Sequence, residues 1–230
     1  MERDLIEKII NNIINKNIQT KCSKSDLTRA DKEFIEAFVN SDEEWLDDEE
    51  NEQDIAWQKY EEIQLKHNYT ERHSSAVVYW GTDGYKYMNG KIYSTDYFKG
   101  AIEKGIINHS LLDAQIKDLE DAIDNGMRVP FNVISHRYGH WDSGLNTGDV
   151  VVNKGFASTG LDGSLNLRGD GYEITYYVPT DTRGILVTEE QFYGVVPGEQ
   201  ELLLGRGIRQ YVLEQDDINA TVSVLVLPDR

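Results

Sequence analysis

The sequence of 230 residues is poor in cysteine, in proline and in positive charge. A single cysteine, Cys22, excludes an intrachain disulfide and favours a reducing compartment. No apolar run approaches 18 residues, and the chain does not start with a basic and then apolar leader, so we expect neither a membrane span nor a cleaved signal. Because 23 Lys and Arg face 41 Asp and Glu, the net charge is −18. That balance argues against binding to nucleic acid or to an anionic membrane.

Much of the negative charge lies in one segment. Residues 41–62, here called the acidic window, contain eleven carboxylates and one base, Lys59. The rest of the chain is therefore only moderately acidic. We interpret the window as a solvated surface, and docking of a basic partner is the alternative.

The hydrophobic pattern changes along the chain from a helical to a strand period. An apolar stripe over residues 5–14 and short amphipathic segments at 32–39, 55–65 and 109–125 predict helices. Cys22 falls in this helical part and is interpreted as an inert packed thiol. After Gly126, strands are predicted at 131–134, 149–152, 172–178, 184–187, 201–204 and 221–227. Helices followed by strands predict an α+β fold, divided into a helical acidic region (1–72) and a second domain (73–230).

Three separated elements carry groups suited to one chemistry. Arg137 ends a mostly apolar strand, where it would clamp a phosphate or else lie in solvent. Ser158 and Thr159 follow the next strand, either as hydroxyls that orient a neighbour or as a turn cap. Glu199 and Glu201 open an apolar strand after a Pro-Gly turn, so their carboxylates would project from the same face.

This ordered set resembles the arginine, Ser-Thr-Ser and Glu-x-Glu signature of the mono-ADP-ribosyltransferases of the cholera-toxin-like class, in particular the arginine-specific bacterial toxin and phage enzymes. The flanking residues 79–89, 155–159 and 199–207 are also similar to that family, and the resemblance covers about residues 74–227. It implies an ADP-ribosyltransferase-like core of two packed, mostly antiparallel β-sheets flanked by helices. One residue departs from the signature, because Gly160 stands in place of its third serine.

The resemblance also implies a role for each matching residue, with NAD as co-substrate. Arg137 would grip the NAD phosphates, Ser158 would orient Glu201, and Glu201 would bind the ribose 2′-hydroxyl. A carboxylate there stabilises the positive charge that develops as nicotinamide leaves. The remaining cofactor contacts are the backbone of Tyr138 and Gly139, Thr159 beside Ser158, Arg168 as a phosphate ligand or a solvated turn residue, and Tyr85 with Asn89 on the adenosine side.

The first glutamate of the pair implies the acceptor. The family members that modify asparagine on Rho GTPases carry Gln at this position, so Glu199 implies an arginine acceptor, which the carboxylate would orient and deprotonate. Phe192 and Tyr193 correspond to the substrate-recognition loop before the glutamates, although one of them would equally pack into the core. The expected partner is a target protein with an accessible arginine.

Other functions remain open from the residues alone. An NAD glycohydrolase would use the same cleft with water as the acceptor. A non-enzymatic acidic protein would use only the acidic window as a binding surface or mimic. No metal is expected, since His136 and His140 are four apart at a strand end, which does not place them side by side. We expect a cytoplasmic location in the producing, host or target cell, with delivery by a phage or a secretion system as one route.

Overall fold

The structure is a computed structural model, and it describes residues 19–22, 27–42, 44–48, 54–139, 141, 144–162, 171–195 and 200–229. The helix predicted over residues 5–14 lies outside these ranges. Among the described residues, the helices are α1 (Arg29–Val39), α2 (Ile55–Gln64), α3 (Glu71–Tyr79), α4 (Tyr85–Ile92), α5 (Asp96–Glu103) and α6 (His109–Asp124). None of them is long and apolar enough to cross a membrane.

Side chains at the helix starts explain where the helices begin. At α1 the Thr28 hydroxyl accepts the Asp31 amide at 3.1 Å, while the Asp31 carboxylate accepts the Thr28 amide at 2.8 Å. Asp31 also holds the Arg209 guanidinium through two hydrogen bonds, at 2.9 and 2.6 Å, which fixes α1 against a strand of the sheet. At α6 the Asn108 side chain accepts two amides of the first turn.

The strands follow the helices in the chain, apart from the first one. They are β1 (Gln19–Cys22), β2 (Val133–Gly139), β3 (Val150–Asn153), β4 (Ala157–Gly160), β5 (Tyr172–Val178), β6 (Gly184–Val187), β7 (Glu201–Leu204), β8 (Arg209–Asp216) and β9 (Thr221–Leu227). Their order in space is β1-β3-β8-β9-β5-β2-β4-β7-β6, and β5 with β9 is the parallel pair among otherwise antiparallel ones. The predicted α+β class with a mostly antiparallel arrangement is therefore confirmed.

One residue pair joins two parts of this strand order. Among the described residues, strands β2 and β4 pair only through His136 and Gly160, whereas β2 and β5 pair over seven residues. We call β4-β7-β6 the small sheet and the remaining strands the large sheet. The two expected sheets are thus the two halves of one continuous strand order, and the His136–Gly160 pair joins them.

The small sheet is buried on both faces. Leu202, Leu204 and Leu186 pack in a cluster with large-sheet residues such as Ile174 and Val224. The alternate residues of the same strands, Ile185, Val187 and Leu203, pack against helix residues. The helix contribution comes from α3 to α6 and includes Ala76, Val77, Met88, Phe98, Leu112, Leu119 and Ile123. The small sheet is therefore a middle layer between the large sheet and the helices.

Three sequence-based assignments differ from the structure. Cys22 lies on strand β1, paired with Val150 of β3, and not in a helix. Strand β4 contains the Ser-Thr pair that was expected to follow a strand or cap a turn, and β8 was not predicted. In both strands polar residues interrupt the apolar run, so pairing with neighbouring strands outweighs the local pattern.

Helix α2 covers the outer edge of the small sheet. The Gln64 amide donates to the Leu186 carbonyl at 2.7 Å, and its oxygen accepts the Leu186 amide at 2.8 Å. The Tyr60 hydroxyl donates to the Gly184 carbonyl at 2.9 Å. An edge strand otherwise leaves such backbone groups unpaired, so α2 completes the hydrogen bonding of β6.

Two members of the acidic window have structural contacts. The Asp48 carboxylate accepts the amides of Ala56 and Trp57 at 2.8 and 2.7 Å, at the start of α2. Asp47 contacts the buried His136 at 3.1 Å. The Asp47 contact and the Gln64 bonds tie part of the first 72 residues to the rest of the fold, while the division at residue 72 stays a prediction.

We expect Gln64→Ala to lower the free energy of unfolding by about 3 kcal/mol, because two backbone groups of Leu186 lose their partner in a buried place. Urea denaturation followed by circular dichroism measures the change. Glu62→Ala, an exposed position on the same helix, is the matched control. Equal stability of the two variants would contradict the role of α2 as an edge cover.

Candidate active site

Glu201 is the buried carboxylate at the centre of the site. It begins β7, the middle strand of the small sheet, and only 3% of the residue is exposed. Since Leu203 faces the helices, Glu201 two residues earlier faces them too. The Trp80 indole donates a hydrogen bond of 2.9 Å to Glu201 Oε1. A buried carboxylate requires such donors, because desolvation of its charge is costly.

Trp80 reaches this position because the chain kinks between α3 and α4. The kink covers Trp80–Gly84, and Thr82 has non-helical angles (φ −101°, ψ −126°). A Cβ on Gly84 would overlap the Tyr79 carbonyl oxygen, so a side chain there would disturb the kink. A Cβ on Gly81 would lie 3.2 Å from Val195 Cγ1, which shows how closely the kink packs onto the segment after β6.

Strand β4 brings the predicted hydroxyl residues beside Glu201. Gly160 pairs directly with Glu201, and Ser158 pairs with Leu203. Ser158 therefore shares the face of Glu201 and is half-buried. Thr159 points to the other face, where its fully buried hydroxyl donates to the Leu202 carbonyl at 3.0 Å. In this arrangement Ser158 is the diagonal neighbour of Glu201 on the same face, and the Thr159 hydroxyl is bonded to the backbone of β7.

Arg137 presents an available positive charge on β2. Its side chain is half-buried, and within the described ranges it makes no hydrogen bond or ion pair. Its charge is close enough to Tyr93 and Tyr176 to oppose the rise that burial causes in the pKa of each. A Cβ on Gly139 would lie 3.3 Å from Arg137 Nε, so the guanidinium group extends along the end of β2. A half-buried guanidinium without an ion pair among the described residues is suited to a phosphate.

A closely packed junction connects the surroundings of Arg137 to those of Glu201. The Asn89 side chain bonds both backbone groups of Phe156, each at 3.1 Å, and the Tyr93 hydroxyl donates to Asn153 Oδ1 at 3.0 Å. A Cβ on Gly155 would overlap the Tyr93 hydroxyl, which makes glycine necessary there. The Phe156 ring then lies 5.3 Å from the Trp80 ring. Asn89 in this structure therefore holds the strand that carries Ser158.

The other predicted contacts lie around this junction. Tyr85 is half-buried with its ring 6.1 Å from Trp80, and Tyr138 follows Arg137 on β2. Phe192 is fully buried against Tyr69, whereas Tyr193 is 91% exposed. The two adjacent aromatics thus divide into one core residue and one surface residue.

Some predicted residues fall outside the described ranges. Glu199, Arg168 and His140 are among them, so their roles stay predictions. Among the residues that the structure does describe, no group of three or more His, Cys, Asp or Glu side chains is placed to hold a metal ion.

Sequence reasoning missed two residues that the structure brings to the site. Trp80 is 121 positions from Glu201, and Tyr93 is 60 positions from Asn153. Trp80 lies within residues 79–89, which resemble the family, but the resemblance gives Trp80 no role, and Tyr93 lies four residues beyond that segment. Gly81 and Gly84 predict a break in the helical pattern, and the structure has a kink there, but a break does not indicate which side chain faces the site.

Tyr93 makes the folded protein less stable at alkaline pH. Burial raises its pKa to about 12 from the ordinary 10.0, with Arg137 and Arg206 opposing part of the rise. A raised pKa contributes stability that is present below pH 10 and is lost as the pH rises towards 12. Raising the pH from about 9 to about 11.5 should lower the unfolding free energy of the wild type. It should lower that of Tyr93→Phe by about 2 kcal/mol less, because this variant has no hydroxyl to ionise at position 93.

Urea denaturation at several pH values measures this slope. Tyr193→Phe, at an exposed position, is the control and should keep the wild-type slope. An unchanged slope in Tyr93→Phe would show that Tyr93 ionises as freely in the folded chain as in the unfolded one.

Several bacterial proteins of known structure are similar to this arrangement of strands and helices. The C3stau2 protein from S. aureus, solved with NAD, is 18% identical with a TM-score of 0.58, over 76% of this chain and 96% of that one. The Clostridium limosum C3 exoenzyme is 13% identical with a TM-score of 0.61, over 84% and 100%. The ADP-ribosyltransferase Vis from Vibrio splendidus, in complex with agmatine, is 14% identical with a TM-score of 0.55, over 76% and 84%. At these identities the likeness shows the fold.

The sequence itself gives the family. No curated protein sequence matches the chain. The family model for the ADP-ribosyltransferase exoenzymes matches residues 54–226, which includes α2 to α6 and strands β2 to β8. The chain therefore belongs to the ADP-ribosyltransferase exoenzyme family, as an NAD-dependent transferase.

Proposed function

We propose that this protein transfers ADP-ribose from NAD⁺ to an arginine side chain of a target protein and releases nicotinamide. The observation that carries the proposal is the buried Glu201 carboxylate, which faces the helices beside Ser158. Arg137, with no ion-pair partner among the described residues, supplies the cation that a dinucleotide needs. On the Glu201 side, Phe156 packs on Trp80, which donates to Glu201. On the Arg137 side, Gly155 lies against Tyr93, which is near Arg137.

The residues around Arg137 fit the phosphates of NAD. The guanidinium offers several N–H donors in a plane, which match phosphate oxygens bidentately. Gly171, just before β5, packs directly on the Gly139 backbone, because a Cβ on Gly171 would lie 2.6 Å from the Gly139 carbonyl oxygen. Arg137 would therefore hold the phosphates, with the backbone of Tyr138 and Gly139 near the nicotinamide amide.

Glu201 and Ser158 would carry the cleavage step. NAD⁺ supplies the ADP-ribosyl group and a leaving group, nicotinamide. A carboxylate fixed beside the ribose stabilises the positive charge that develops there, and it does so without rearranging in the reaction. Ser158 lies on the face of Glu201 and would orient it, while Glu201 would bind the ribose 2′-hydroxyl.

Glu199 is the basis for an arginine acceptor. A guanidinium is protonated near neutral pH and is a poor nucleophile until a base takes its proton. Glu199, two residues before Glu201, would be that base. The Vis structure contains agmatine, which has the guanidinium group of arginine, and this supports an acceptor of the same chemistry.

We expect Glu201→Gln to lower nicotinamide release from NAD⁺ by about 100- to 1,000-fold, because the charge of the stabilising group is lost. Glu199→Gln should abolish arginine labelling and retain nicotinamide release. Isotope-labelled NAD⁺ with a cell lysate, followed by mass spectrometry of the labelled peptides, measures both effects.

Glu189→Gln, an exposed carboxylate shortly before these residues, is the matched control. Equal protein labelling by Glu199→Gln and the wild type would contradict the arginine assignment. Nicotinamide release without any labelled protein would indicate the NAD glycohydrolase instead.

Tyr193 is the proposed contact for the target protein. Its exposed ring follows the buried Phe192, and Gly194 has a positive φ of 108° that fixes the turn. Exposed tyrosines are frequent anchors in protein interfaces. A target protein would therefore meet this turn beside the site of cleavage.

Tyr193→Ala should raise the KM for the protein acceptor by about tenfold and change the unfolding free energy by less than about 0.5 kcal/mol. Ile218→Ala, at a position that is 95% exposed on another turn, should leave that KM unchanged. Phe192→Ala should instead destabilise the fold by about 3–5 kcal/mol. A Tyr193→Ala variant with a wild-type KM would remove this turn from the acceptor site.

A further inference from the structure

The geometry points to Trp80 as a positioning residue for Glu201, a role that rests on the function proposed above. The Trp80 indole donates to Glu201 Oε1 at 2.9 Å from a position that is only 3% exposed. Trp80 lies in the kink between α3 and α4, outside the three motif elements. It therefore orients the carboxylate from the helices, while Ser158 approaches it along the sheet.

The sheet itself leaves room for such a donor. In the strand register, Glu201 is flanked by Gly160 of β4 on one side and Val187 of β6 on the other. Neither residue has a side chain that donates a hydrogen bond. A donor from the opposing helical layer thus complements Ser158, which pairs with Leu203, two residues further along β7.

The surroundings of Trp80 hold its ring in one orientation. The Phe156 ring lies 5.3 Å from it, and the Tyr85 ring lies 6.1 Å from it. A Cβ on the adjacent Gly81 would lie 3.2 Å from Val195 Cγ1 and 3.8 Å from Val187 Cγ1, so the kink follows the small sheet closely. A ring that is packed in this way keeps its N–H direction, which is the requirement for a group that orients another.

An indole is chemically suited to this position. It has one N–H donor and no acceptor, so it bonds the ionised carboxylate and adds no positive charge beside it. A lysine or arginine there would neutralise the charge that Glu201 needs for stabilising a developing cation. Trp80 therefore fixes the direction of the carboxylate and leaves its charge in place.

The test separates the hydrogen bond from the packing of the ring. Trp80→Phe removes the N–H, and replacement of Trp80 by 3-benzothienylalanine removes it while preserving the bicyclic shape. For both variants, kcat of nicotinamide release should fall by about 10- to 100-fold, the range for one hydrogen bond to a charged group, with little change in the KM for NAD⁺.

Trp141→Phe is the matched control. Trp141 is 2% exposed, and its indole donates to Gln215 Oε1 at 2.7 Å in a different part of the core. This variant loses a buried indole hydrogen bond to a neutral acceptor and should keep the wild-type kcat. A similar fall of kcat in the Trp141 and Trp80 variants would indicate a general loss of stability and would overturn the assignment.

A double substitution shows whether Trp80 acts through Glu201. In the Glu201→Ala background, Trp80→Phe should cause no further loss of kcat, because the group that it orients is gone. Independent losses, or a wild-type kcat in the benzothienylalanine variant, would overturn the positioning role.

The proposed function and this role fail in different ways. A wild-type protein that neither releases nicotinamide nor labels protein would refute the proposed function and, with it, a role in that reaction. In that case the Trp80–Glu201 hydrogen bond is tested separately, by measuring the unfolding free energies of Trp80→Phe, Glu201→Ala and the double mutant. Additive energies would also refute the contact.

Discussion

The structure of the site depends on burying one carboxylate between a sheet and a helical layer. Glu201 begins a strand whose four residues are all buried. An ionised group in such a place requires hydrogen-bond donors that do not move away. The kink at Trp80–Gly84, the glycine at position 81 and the packing of Phe156 together meet this requirement, because they bring a single indole N–H to the carboxylate.

The layer order explains why the other site residues lie where they do. The small sheet is covered on both faces. Along β4, Ser158 therefore faces the helices and Thr159 faces the large sheet. Asn89 then holds Phe156 just before β4, and Tyr93 occupies the space that Gly155 leaves open. Helices α3 to α5 therefore form one wall of the site, and their packing fixes the strand that bears the motif hydroxyl.

Much of the fold could be predicted from the sequence, because the structure contains the helices and strands whose apolar stripes or β-branched runs are clear in the sequence. Strands β5, β6, β7 and β9 have the predicted bounds. Strands β4 and β8 were missed because residues such as Ser158, Gln210 and Glu214 break the apolar pattern, and their stability comes from neighbouring strands. The Trp80 contact joins residues 121 positions apart, so no local pattern indicates it.

The acidic window has a closer relation to the site than its charge suggests. Asp48 fixes the start of α2, α2 completes the hydrogen bonding of β6, and β6 pairs with β7, which begins with Glu201. Removing the whole window would therefore disturb β7, because α2 contacts β6 and β6 pairs with β7. A docking surface on the acidic window would use its exposed members, such as Asp42, Glu44 and Glu62. Asp47 and Asp48 belong to the scaffold, because their partners are a buried histidine and a helix start.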